Sequence, residues 1–270
     1  MTIKFTDAAK YYKELPHQKK AFEYLQDTVP TDIINRFEYL YRTPERPHVP
    51  EVTGEGIAII KILKRLEELG IKLDRPPQSA QNDEYCVNII GLEGLNPNFT
   101  VNDDKSNHFN DLFLLLGINK ALKYRYLQKS VGTTEPGHYY TYNRMNPKGA
   151  ARIQIDVKHE KIWQVGYHGR GRNRHKALIQ WGNAVCVHRD NNEDTFRTGD
   201  LLDCGYHGIN FHGGYDMPTT NIGRASAGCQ VIQKMAEISA AMEHVERDYY
   251  WLRDDKYRFS YICLDASKIF

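Results

Sequence analysis

Apolar positions in the first part of the chain fall at helical spacing. Ala21, Phe22, Leu25 and Val29 share one face of a helix that Pro16 can open in its first turn. Ile33, Ile34, Phe37, Leu40 and Tyr41 mark a second helix, broken by the three prolines between Thr43 and Pro50. Ile59, Ile62, Leu63, Leu66 and Leu69 mark a third, with Gly70 placed as its C-terminal cap. The polar, proline-containing stretch Arg75 to Asp83 then looks like a linker. These signals divide the chain into a helical region, residues 1–80, suited to targeting or assembly, and a second domain, residues 81–270.

Beyond Tyr85 the pattern changes to short β segments. Cys86–Ile90, Leu112–Leu116 and Tyr124–Gln128 are apolar or alternating runs bounded by polar loops. Ala151–Val157 alternates as one half-buried strand, and Lys161–Val165, Ala177–Trp181, Ala184–His188 and Gly208–His212 continue the series. Val231, Met235, Ile238, Met242, Val245 and Tyr249 step by three and four, which predicts one substantial helix. Phe259–Leu264 closes the chain as a strand. The expected class is α+β: a β-rich domain with one long helix, preceded by a small helical region.

Composition narrows the function classes. Lys and Arg number 36 against 34 Asp and Glu, a net charge of +2, which gives no case for nucleic acid as a partner. The densest basic run, His168 to His175, reads as a solvated hairpin tip. No segment has the length and apolarity of a membrane span, and the start of the chain lacks a signal-peptide core. Synthesis in the cytoplasm without a leader follows as an expectation. The five cysteines are scattered, show no CxxC spacing and do not look like a disulfide framework, so a reducing compartment is the simplest reading.

The chemistry concentrates in Gly208-Ile-Asn-Phe-His212-Gly213-Gly214 and in Arg224-Ala-Ser226-Ala227-Gly228-Cys229. Strand alternation puts Gly208, Asn210 and His212 on one face and Ile209 and Phe211 on the other. His212 thus belongs to a polar wall. Gly213 and Gly214 allow a sharp turn and a close approach of backbone to ligand. Cys229 follows a flexible glycine, and amides around it could hold a developing oxyanion or lower the thiol pKa. A thiolate–imidazolium pair is the chemistry these parts can support. Arg224 could bind a substrate carboxylate, Ser226 could orient a partner, and His207 could line the cleft.

The order His-Gly, then Ser-x-Gly-Cys with 17 positions between His212 and Cys229, resembles the catalytic signature of the L,D-transpeptidase (YkuD-like) family. The resemblance covers residues 208–232 and extends in outline to the β domain. It implies a β-rich catalytic domain in which Cys229 attacks an amide of a peptidoglycan stem peptide, with His212 as base. The carbonyl of Gly213 would orient that base, and the amides of Gly228 and Cys229 would form the oxyanion hole. No cofactor is implied. Asn210, His207, Ser226 and Arg224 would contact the substrate, and Thr133–Gly137 with Tyr139–Thr141 would form part of its wall. Ala227 stands where the family carries histidine, and Gln230-Val231 where arginine or asparagine follows the cysteine. The Ser-Ala-Gly-Cys variant points to wall degradation of the phage endolysin type as much as to cross-linking. Such a protein would reach the wall after lysis or delivery. Two other readings stay open: a non-catalytic wall-binding or phage structural component with a vestigial site, and a zinc peptidase using Cys204, His207 and His212.

Overall fold

The computed structural model describes residues 54–270, so the two helices expected before Pro50 lie outside the described residues. The chain divides into a unit ending at Gly70 and a second running from Ile71 to Lys268, with Phe270. The described part of the first unit is helix α1 (Gly54–Glu68). Gly70 ends it in a left-handed conformation (φ 67°) and its N–H donates to the carbonyl of Glu67, the turn expected of a C-terminal cap.

The second unit is α+β and dominated by sheet. Eight strands close a barrel: β1 (Tyr85–Glu93), β2 (Asp111–Asn119), β3 (Tyr124–Thr133), β5 (Val157–His168), β6 (His175–Gln180), β9 (Phe211–Gly213), β10 (Gln230–Ile232) and β11 (Phe259–Asp265). Their order around the barrel is β1-β11-β5-β6-β9-β10-β3-β2. A separate three-stranded sheet has the order β4 (Ala150–Ile153), β7 (Val185–Asp190), β8 (Leu201–Gly205). Helix α2 (His138–Tyr142) is one short turn, and α3 (Met235–Val245) is the long helix of the domain.

The near-continuous apolar runs of β1 and β2 are the signature of strands buried on both faces, and both are buried along almost their whole length. Phe113, Leu115, Trp163, Leu178, Phe211, Ile232, Phe259 and Tyr261 fill the core, and Ile238, Ala241, Met242 and Val245 of α3 join them. The Trp163 indole lies against Phe211 (centroids 5.6 Å apart) and Tyr261 (4.7 Å). Its N–H donates to the Ile209 carbonyl at 2.7 Å, so the largest core side chain leaves no polar atom unpaired and fixes the approach to β9.

Four local expectations give way. Ala151–Val157 is not one strand: Asp156 turns the chain at φ 60°, separating β4 from β5. Val231 belongs to β10 rather than to the helix, whose apolar stripe begins at Met235. The strand ending at His212 is shorter than the pattern suggests, because Gly208 sits at φ 74° and regular pairing starts only at Phe211. Finally, Cys186 and Cys204 are joined by a disulfide. They are direct register partners across β7 and β8, a juxtaposition invisible in spacing alone because Leu201–Gly205 lacks a strand pattern. The cysteines are therefore not a wholly reduced set.

Candidate active site

Strands β9 and β10 are parallel neighbours, with Phe211 opposite Gln230 and His212 opposite Val231. Phe211 and Gln230 turn into the barrel, where the Tyr261 hydroxyl donates to Gln230 Oε1 at 2.6 Å. Alternation then places His212 on the other face, and Cys229, directly before β10, packs against the cluster that holds Val231. The Tyr215 ring centroid lies 6.4 Å from that of His212, and burial, then the Cys229 thiol, raises the Tyr215 hydroxyl pKa.

His212 is 1% exposed, so the polar wall expected of this face is buried. Its Nδ1 meets the Gly213 carbonyl at 2.9 Å. Since a carbonyl accepts, Nδ1 carries the proton and Nε2 is left as the basic nitrogen. Burial, and after it the neighbouring His168, pushes the imidazole down to about 3. A Cβ at Gly213 would stand 2.5 Å from Met235 Sδ and 2.8 Å from Ile238 Cγ2, so a side chain there would have to displace those of α3.

Cys229 is half-buried, and it is a free thiol. The Asn210 N–H points at its sulfur (3.4 Å), and the thiol donates to the Gly208 carbonyl (3.5 Å). Burial pushes the thiol up to about 11 against the lowering effect of the Asn210 amide. Both shifts favour the neutral forms, a thiol at Cys229 and an imidazole at His212, over a preformed thiolate–imidazolium pair. Among the described residues no hydrogen bond joins Cys229 to His212.

The other expected site residues divide. Ser226 Oγ accepts the Gly228 N–H at 3.1 Å and donates to the Cys229 carbonyl at 2.8 Å, clamping the loop around the thiol. That bond occupies the Gly228 amide, so it cannot serve an oxyanion hole. The Cys229 amide meets no acceptor among the described residues. Gly228 is held at φ 125°, where a Cβ would stand 2.4 Å from the Ala151 carbonyl. The Asn210 side chain accepts the Gln180 N–H at 2.8 Å, which ties it to β6 rather than to substrate. Both ring nitrogens of His207 are engaged, Nδ1 by Arg189 (2.9 Å) and Nε2 by the Asp203 carbonyl (3.0 Å). Arg224 is exposed, with its guanidinium 3.9 Å over the Tyr139 ring.

The zinc set fails on these contacts. Cys204 is consumed by its disulfide and His207 has no free nitrogen. Among the described residues, the side chains close enough to share a cation are Glu93, Asp104 and Glu135. There Arg197 already grips Glu93 with two hydrogen bonds, and Arg152 pairs with Glu135.

The expected substrate wall at Thr133–Gly137 is instead support. Thr133, Thr134 and Glu135 are buried. Thr134 bonds to Asp111 and its carbonyl accepts from Gln230 Nε2 at 3.1 Å, so this network braces the residue next to Cys229. The Gly137 N–H donates to the Ser226 carbonyl at 2.9 Å, bracing the clamp as well.

Three residues that sequence reasoning passed over complete the site: His168, His175 and Tyr215. His168 and His175 are register partners closing the β5–β6 hairpin. The basic run that contains them was read as a charge pattern, which hides the two imidazoles turned toward β9. No protein-family model, no curated protein and no solved structure matches the chain.

Proposed function

We propose that the protein is a cysteine-dependent amide hydrolase or acyltransferase of L,D-transpeptidase-like design, acting on peptidoglycan stem peptides. The observation that supports the reading is that Cys229 comes directly before β10, the parallel neighbour of the strand carrying His212, while the Gly213 carbonyl holds His212 Nδ1–H so that Nε2 is the free base. The substrate class rests on the motif resemblance alone.

The neutral pair sets the order of events. Cys229 Sγ attacks the amide carbonyl carbon while its proton passes to His212 Nε2, so proton transfer accompanies attack rather than preceding it. The oxyanion forms against the Cys229 N–H. Collapse breaks the C–N bond, and the imidazolium returns the proton to the departing amine. Water or a second amine then cleaves the thioester, giving hydrolysis or transfer.

One observation favours the vestigial alternative: the thiol is bonded to Gly208 and Asn210 rather than to His212. Purified muropeptides incubated with wild type and with Cys229→Ala separate the readings. Loss of a terminal residue marks a carboxypeptidase and a joined dimer marks a transpeptidase, each absent with Cys229→Ala. Unchanged masses with wild type would sink the enzyme reading.

A further inference from the structure

The residue that orients His212 is itself held from outside its own strand. Gly213 presents its carbonyl to His212 Nδ1–H, and its N–H donates to His175 Nε2 at 2.9 Å. The other nitrogen of His175, Nδ1, lies 2.9 Å from the Asn173 carbonyl. A carbonyl can only accept and an amide N–H can only donate, so the two contacts fix one tautomer of neutral His175: proton on Nδ1, lone pair on Nε2. Asn173 lies in the turn of the same hairpin, which anchors the imidazole at its own end. The hairpin contributes a second ring. His168 stacks on His212 with centroids 3.7 Å apart and planes 6° from parallel, which blocks rotation of the His212 ring to that side.

We propose that His175 is a positioning residue that acts through the Gly213 backbone to hold His212 in the Nε2-basic tautomer facing the Cys229 side. This rests on the catalytic reading of the Cys229–His212 pair. Gly213 lacks a side chain to pin it, and one would displace those of α3. Its β10 neighbour and His175 are what stop its peptide planes from tilting. Without the His175 acceptor, the Gly213 N–H is left unpaired in a buried site, a loss that a small rotation of the backbone toward another acceptor would relieve. That rotation tilts the 212–213 peptide and with it His212, while the Gly213 carbonyl stays in the next peptide plane, where the Gly214 N–H donates to the Ile232 carbonyl at 2.7 Å; the Nδ1–carbonyl contact is thereby stretched. The hydrogen of His212 is then free to move to Nε2, and the base is lost with every catalytic side chain still present.

The test uses the full chain with ¹⁵N-labelled histidine. Two-bond ring correlations report the His212 tautomer, and iodoacetamide alkylation of Cys229, followed by mass, reports the pair's reactivity. Wild type should show His212 protonated on Nδ1. His175→Ala should show mixed tautomers and an alkylation rate about tenfold lower, the loss expected for one hydrogen bond. His175→Gln should restore both readouts, because its Oε1 can accept from Gly213 while its Nε2 donates to Asn173. His175→Asn, too short to span that gap, repeats the alanine test if alanine does not fold. A folded His175→Ala or His175→Asn protein with the wild-type tautomer and wild-type rate would overturn the proposal, as would a folded glutamine variant that restores neither. If wild-type Cys229 reacts no faster than Cys86, the enzyme reading falls, but the tautomer still judges His175.

Discussion

The His168 imidazole lies flat on that of His212, 3.7 Å away and 6° from parallel, inside a site where His212 is almost fully buried. Two neutral rings tolerate that stack and two cations would not. Burial first, and the His168 ring after it, lower the pKa of the candidate base and oppose the imidazolium that proton transfer creates. Replacing His168 with alanine should admit water over that face and raise His212 from about 3 toward the ordinary histidine value. An NMR titration of the ring in the variant checks this; an unchanged value would assign the depression to burial by other groups.

The same depression makes the fold sensitive to acid. His212 is neutral when folded and free to protonate when unfolded, so its contribution is present above about pH 6.5 and is lost as pH falls toward 3. The ceiling for that loss is roughly 5 kcal/mol. Urea denaturation at pH 7 and pH 5 should show a smaller drop in stability for His212→Gln than for wild type.

A thiol pushed up to about 11 predicts a particular alkylation profile. The rate at Cys229 should keep climbing through pH 9, with no plateau in the neutral range, because little thiolate exists there. A preformed ion pair would give a flat profile instead. His212→Ala should lower the neutral-pH rate, while Cys86 and Cys263, both buried, stay slow throughout.

Gly228 admits no side chain. Its φ of 125° and the Ala151 carbonyl 2.4 Å from a would-be Cβ demand a backbone shift in Gly228→Ala. The cost should be about 2 kcal/mol or more, read as a lower Tm. Because the Ser226 clamp closes on the Gly228 amide, Cys229 reactivity should fall even in molecules that remain folded.

The Cys186–Cys204 bond closes a loop 18 residues apart in sequence. Reduction, or the double substitution to alanine, should lower stability by about 3 kcal/mol, with the β4-β7-β8 sheet losing amide protection first.

What the sequence could reveal follows the physics of each element. The near-continuous apolar runs of β1, β2 and β11 are local signals, legible as strands. The glycines around His212 and Cys229 are equally local signals, and the chain brings the segment before β10 beside β9. Strands β8 and β10 are short and held by their neighbours; Val231 consequently read as helix. The partners of His207 and Asn210 come from β6, β7 and β8, distant in sequence, so two residues that looked available to a substrate prove to be tied into the scaffold. His168 and His175 were hidden for the reverse reason: their basic surroundings advertise an exposed tip, while hairpin pairing turns both rings toward β9.

The central claim is that Cys229 forms a covalent acyl intermediate with His212 as its base. Intact-protein mass spectrometry after rapid acid quench, with purified stem-peptide muropeptides as acyl donor, tests it most directly. The expected result is an added acyl mass that maps to the peptide containing Cys229, is absent in Cys229→Ala, and accumulates more slowly in His212→Ala. An unmodified Cys229 under conditions where the muropeptides are consumed, or an adduct on another residue, would contradict it.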